Sequence, residues 1–371
     1  MLMNEKLRSF ITSCIFFMSG SMSIATQLPA KVVDEDASKE TLALFQNLRA
    51  IAASDQFIFG QEFPTDFSRV GGLNSDVNGS DVKSVVGDHP GLHGSDFHYF
   101  LDKSDEEREI HLQAVQAAYS RGAVVTFDWH MTGPDGTSFY VSEKTKDLVP
   151  RILGKDPKAL PWFLSKLDEM ISIVNELGFP IVLRPFHEMN GDWFWWGNHI
   201  GNENYIQFYR LFVDYVKPRV NNVLFAWSPN IDPDFTYYPG DNYVDILGID
   251  GYEPGSVSYF SIERMLESLA IITEYAEQKG KLAAFTETGH RNGYPQVDSR
   301  FWTEHILKPI VSHPKARGIA WVLTWINSTW SGPYVPHKGL TGTTAYQDFQ
   351  EFFMHPATIF ERDLPPMYQI R

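Results

Sequence analysis

Apolar residues fall along this chain in two alternating textures. Short runs rich in Val, Ile, Leu and Phe, without strict alternation, read as strands buried on both faces, as a parallel sheet requires. Eight such runs recur, at 56–61, 83–88, 123–129, 180–186, 223–228, 244–250, 282–287 and 318–325. Between them lie stretches whose apolar positions return at helical spacing, among them 105–121, 161–177, 204–216 and 262–279. Eight β-then-α units predict an α/β fold, a single (β/α)8 TIM barrel. A doubly wound open sheet is the alternative, but no Gly-x-Gly-x-x-Gly turn follows the first strand. The barrel is expected over residues 40–371, after a short polar linker at 26–39.

The start of the chain has a different character. Lys6 and Arg8 precede a mostly apolar run at 10–18, and Ser23-Ile24-Ala25 supplies small residues, so 1–25 reads as a cleaved export signal. Its apolar core is too short to span a bilayer. Periplasmic or secreted protein is the expectation. Cys14, the only cysteine, falls inside that signal, which leaves the mature chain without disulfides or thiolate metal ligands. Ile11-Thr12-Ser13-Cys14 has the look of a lipidation site, but too little apolar chain separates it from Arg8.

Composition narrows the partners. With 371 residues and 43% hydrophobic content the chain buries a large core, and its formal charge of −15 argues against nucleic acid or an anionic membrane surface. A neutral substrate fits, and a monomer is the default for a barrel with an open cleft.

Active sites of such barrels lie at the C-terminal strand ends. The residues read there are Asp88 and His89 for the second strand, Asp128, Trp129 and His130 for the third, and His187 and Glu188 for the fourth. Asp250 and Tyr252 follow the sixth, Glu287 the seventh, and Trp325 and Asn327 the eighth. Glu188 sits in a run with His187, Asn190, Trp193, Trp195 and Trp196. A carboxyl among flat aromatic rings suits protonation of a glycosidic oxygen while indole faces hold pyranose rings. Strands four and seven face each other across an eight-stranded mouth, so Glu188 and Glu287 can share one substrate. The aromatic wall favours a protonated Glu188 as the acid. Glu287 needs to be ionised as nucleophile, with Tyr252 or Arg184 bonding the anion. Trp129, Trp193, Trp196 and Trp325 are candidate stacking platforms, each also plausible as core. A metal cluster of His89, His130 and His187 with Asp88 and Asp250 is disfavoured, because Phe59-Gly60-Gln61-Glu62 offers no His-x-His pair at the first strand end.

These residues resemble the glycoside hydrolase family 26 β-mannanases over essentially the whole mature chain. The most specific part is 184–197, supported by 84–90, 238–252 and 285–289. The resemblance implies a (β/α)8 barrel and retaining endo-hydrolysis of β-1,4-mannosidic bonds in mannan, galactomannan or glucomannan. It makes Glu188 the acid/base and Glu287 the nucleophile, without metal or cofactor. It puts His130, His187, Trp193 and Tyr252 around the scissile mannose, with Asp250 and Trp325 nearby. Many relatives carry an arginine after the tryptophan matched by Trp325, where this chain has Ile326, and Ser95-Asp96 stands where relatives often have Trp-Asp. The alternatives are a relative acting on xylan or mixed-linkage β-glucan, a mannobiose-releasing variant, and a binding protein that has lost catalysis. The presence of both glutamates argues against the last.

Overall fold

The computed structural model describes residues 31–253, 261–290 and 299–370, so the export signal expected over 1–25 lies outside the described residues. Eight strands, β1 Phe57–Glu62, β2 Leu92–Asp96, β3 Val124–Asp128, β4 Ile181–Arg184, β5 Val223–Trp227, β6 Ile246–Tyr252, β7 Leu282–Gly289 and β8 Trp321–Thr324, pair in parallel in sequence order. Pairing of β1 with β8, from Ile58 opposite Trp321 to Gln61 opposite Thr324, closes the ring. This is the expected TIM barrel.

The flanking helices are α1 Lys39–Ala52, α2 Asp81–Val86, α3 Asp105–Arg121, α4 Ala159–Leu177, α5 Asn202–Val216, α6 Ile262–Lys279 and α7 Thr344–Met354. In α5, Tyr205, Phe208, Tyr209, Phe212, Val213 and Val216 form the buried stripe that helical periodicity predicts. α3 starts with a capping box between Ser104 and Glu107 and stops at Gly122, whose φ of 97° few other residues would accept.

The second strand is not where the apolar pattern put it. Within 83–88 the chain is helical, because Ser80 Oγ caps the backbone N–H of Lys83 and Gly87, at φ 78°, ends α2. The strand is Leu92–Asp96, which has one large apolar residue, since its inward face is polar at this level. A Cβ on Gly94 would lie 2.4 Å from the carboxyl carbon of Glu62.

Strand alternation divides the core in two. Ile58, Leu92, Val124, Val182, Leu224, Ile246, Leu282 and Trp321 fill the lower barrel, and Leu44, Phe45, Leu48 and Ile51 of α1 pack beneath them as a plug. Each such side chain contributes roughly 1.5–3 kcal/mol by leaving water. Phe59, Val125, Leu183, Phe225, Leu247 and Phe285 point outward to the helices. Part of the segment expected as linker is instead packed: Val32, Val33 and Asp34 are buried, and the Val33 N–H donates to Asp245 Oδ1 at 2.6 Å. Val32 joins the α1 plug on the barrel floor. Among the described residues no helix is long and apolar enough to cross a membrane.

Candidate active site

Beyond Arg184 the chain leaves β4 through Pro185, and Phe186 and Glu188 adopt left-handed backbone, with φ of 50° and 55°. Such conformations cost roughly 1–3 kcal/mol each and persist only where surroundings enforce them. Here the Glu188 N–H donates to Ser228 O at 2.7 Å, the Gly191 N–H to Glu188 O at 2.9 Å, and the Tyr205 hydroxyl to Phe186 O at 3.1 Å. The Phe186 ring is gripped by Phe208 at 4.3 Å and Phe212 at 5.3 Å. The turn therefore aims Glu188 over the barrel mouth.

Two donors hold its carboxyl: Trp193 Nε1–H bonds Oε2 at 2.8 Å and Asn230 Nδ2 bonds Oε1 at 2.9 Å. The indole lies so close over Gly191 that a Cβ there would sit 2.2 Å from its Cη2 atom. Burial, then the charge of Glu287, push the Glu188 acid up to about 7, against the opposing pull of Asn230, Arg184 and Trp193.

Glu287 is buried on β7 and fully engaged. Arg184 Nη2 bonds Oε2 at 2.8 Å and the Tyr252 hydroxyl donates to Oε1. A register shift between Ile249 and Asp250 sets Asp250 opposite Glu287. Arg184 also binds Asp250 at 2.6 Å and Asp128 at 3.1 Å, so one guanidinium organises three carboxyls. Arg184 and Asp250 are themselves buried and act on Glu287 rather than facing the cleft.

Beside this cluster His130 Nδ1 meets Asp96 Oδ2 at 2.8 Å. Burial disfavours its charge, but Asp96 outweighs burial and lifts the imidazole to about 9. His187, edge-on to it at 4.8 Å, is held neutral by burial and by the charges of Arg184 and His130. Burial pushes Asp128 up to about 8, and burial also raises Glu62 and Asp250 well above the carboxylate range. Five enclosed carboxyls, Glu62, Asp96, Asp128, Asp250 and Glu287, thus share two cations, Arg184 and His130, and burial with this crowding raises Glu62, Asp128 and Asp250. Ligand atoms of Asp128, His130 and His187 lie within 4.8 Å of one another. They suit a metal ion poorly, because Arg184 already occupies Asp128 and Asp96 keeps a proton on His130.

Trp193 and Trp325 are both half-buried with surface open at the mouth, the Trp325 ring standing 5.8 Å from His130. Trp129 and Trp196 are different. Because Asp128 points into the barrel, Trp129 points outward to Phe97 and is 1% exposed. Trp196 is fully buried, stacked on Phe194 at 4.6 Å, with its Nε1–H on His187 O. Neither offers a face to a sugar, and Trp196 instead steadies the His187 backbone. His89 is at the wrong end of the barrel. It precedes β2, its carbonyl accepts from Glu361, and its Nε2 lies 3.2 Å from Lys83 Nζ. The misplaced second strand caused that error. Asp96, the residue at the true end of β2, and Asn230 and Glu62 were missed, and Asn190, read in the run around Glu188, was given no role. Asn190 Oδ1 accepts from the Asn230 N–H at 2.8 Å and so orients the residue that holds Glu188. Ile326 is fully buried against Phe63 and Phe67.

Residues 33–325 match the sequence profile described as glycosyl hydrolase family 26. A mannan endo-1,4-β-mannosidase of Bifidobacterium adolescentis is 28% identical over 90% of this chain, which spans only 36% of that relative's length. The Bacillus subtilis protein of the same description is 27% identical over 67% of this chain and 69% of its own. Among solved structures, GH26C from a Muricauda species superposes with a TM-score of 0.80 at 30% identity, covering 92% of this chain and 96% of that one. A GH26 β-mannanase from Bacteroides ovatus gives a TM-score of 0.80 at 28% identity over 90% and 98%.

Proposed function

The chain belongs to glycosyl hydrolase family 26, and on that premise we propose that it is a retaining endo-β-1,4-mannanase acting on mannan, galactomannan or glucomannan. The observation that carries the reading is a pair of carboxyls at the ends of β4 and β7 with unlike surroundings: burial raises Glu188 to about 7, and Glu287 is bonded by Arg184 and Tyr252. In the first step Glu287 attacks the anomeric carbon while Glu188 gives its proton to the departing glycosidic oxygen, leaving a mannosyl ester on Glu287. In the second, Glu188, now a carboxylate, takes a proton from water, whose oxygen attacks the same carbon and frees Glu287. Two inversions return the β configuration. Tyr252 and Arg184 position the nucleophile and ease its departure, while Trp193 and Asn230 orient the acid. Export and a monomeric state belong to the same reading, supported by the residue pattern of 1–25 and by the open mouth.

The test is chromatography of products from mannan, galactomannan, xylan and mixed-linkage β-glucan incubated in parallel with residues 26–371. Mixed mannooligosaccharides are expected, with no products after Glu287→Ala. Mannobiose alone overturns the endo mode, and products from xylan or glucan alone overturn the substrate. Proton NMR of the first-formed reducing end is expected to show the β anomer; the α anomer overturns double displacement.

A further inference from the structure

Exposed large apolar residues are few among the described residues, and three of them meet at one place on the rim. Val70, 73% exposed, and Leu73, 37% exposed, lie on or beside the ladder of Phe67–Ser68 with Gly72–Leu73 that follows β1, and Trp330, 62% exposed, lies in the segment after β8. The two segments are joined. Arg69 Nη1 donates to Ser328 O at 2.8 Å, and a Cβ on Gly72 would stand 3.6 Å from the Thr329 side chain. The Trp330 ring meets Phe67 at 82°, 6.3 Å between centroids, and is otherwise largely open to solvent. Phe67 belongs in turn to the cluster of Phe63 and Ile326 on which Trp325 packs, and Trp325 meets His130. A packed chain of side chains, itself buried at Phe63 and Phe67, therefore links the catalytic pit to an exposed indole at the β1/β8 rim.

The geometry points to Trp330, flanked by Val70 and Leu73, as an outer sugar-stacking platform that takes a mannosyl residue well removed from the scissile bond. This deepens the proposed mannanase reading and rests on it. The occupant is a neutral β-mannan chain, because the indole lies on the same rim as the pit and packs through Phe67 on the cluster that carries Trp325, while the Arg69 guanidinium beside it is engaged by backbone carbonyls. An open indole face fits the apolar face of a pyranose and leaves the hydroxyls in water. A remote contact of this kind acts through binding, so it sets chain-length preference rather than bond-breaking.

The experiment compares the wild type with Trp330→Ala and Trp330→Phe on mannotriose, mannohexaose and soluble galactomannan. Trp330→Ala is expected to lose about tenfold in kcat/KM on mannohexaose and galactomannan, through KM, with mannotriose unchanged, and Trp330→Phe to recover most of the loss. Equal losses on the short and long substrates, or no loss on the long ones, overturn the platform while leaving the mannanase intact. A wild type that cleaves none of the three overturns the mannanase reading and this inference with it.

Discussion

Replacing Trp193 by Phe keeps a flat ring over Gly191 and removes one thing, the Nε1–H that bonds Glu188 Oε2 at 2.8 Å. That bond favours the carboxylate, so its loss raises an acid already lifted to about 7 by burial and by Glu287. A hydrogen bond to a charged group contributes about 1.5–3 kcal/mol. Part of it survives to the neutral carboxyl, and 1.36 kcal/mol is about one pH unit, so the acid moves to about 8. The sign follows from the role: Glu188 must be protonated to release the leaving group, so kcat/KM falls as pH rises through its pKa. The wild type should lose half its kcat/KM on mannan near pH 7, and Trp193→Phe about one unit higher, at a lower plateau. A dinitrophenyl mannobioside, whose leaving group needs no proton, should show no such alkaline fall in either protein. A mannan profile that stays at the same half-point, or shifts to lower pH, refutes the assignment of Glu188 as acid and of Trp193 as its anchor.

Other substitutions probe separate parts of the site. Gly191→Ala should drive the indole off Glu188 and cost about a hundredfold in kcat/KM with the circular dichroism unchanged; near-normal kinetics would show that the close approach is not needed. Asp96→Asn removes the partner that lifts His130 to about 9, from an ordinary value near 6.5, so it should destabilise the fold by about 3 kcal/mol in urea titrations at pH 6. Because the charged pair stabilises fully below about 6.5 and fades as pH rises through 9, the gap between variant and wild type should narrow by pH 10; a constant gap would contradict the pairing. His89→Ala, at the far end of the barrel, should leave kcat and KM on galactomannan unchanged while lowering the melting temperature slightly.

The residues that carried information at sequence level were those whose environment is local. Phe186 to Trp196 form one turn after one strand, so acid, anchor and aromatic wall could be read from adjacent positions. What spans the barrel was harder. β2 escaped notice because the inward side of Leu92–Asp96 is built for a charge cluster: Gly94 is vacated for the Glu62 carboxyl and Asp96 is turned to His130. Apolar Val85 and Val86 attracted the strand assignment instead, although Ser80 and Gly87 are helix-ending residues. The same oversight carried His89 into the candidate site. Trp129 and Trp196 failed for another reason, since alternation past Asp128 and stacking on Phe194 decide which way an indole faces, and proximity in sequence does not. Asn230 lies in a loop beyond β5 and reaches Glu188 only because Asn190 holds its backbone.

The plug of Leu44, Phe45, Leu48 and Ile51 under the lower barrel layer closes the floor of the pit. Glu62, Asp128 and Asp250 are buried above that floor. On the proposed mechanism the sugar that leaves after the first displacement and the water that enters for the second then cross the same face of the barrel, and each carries protons across it.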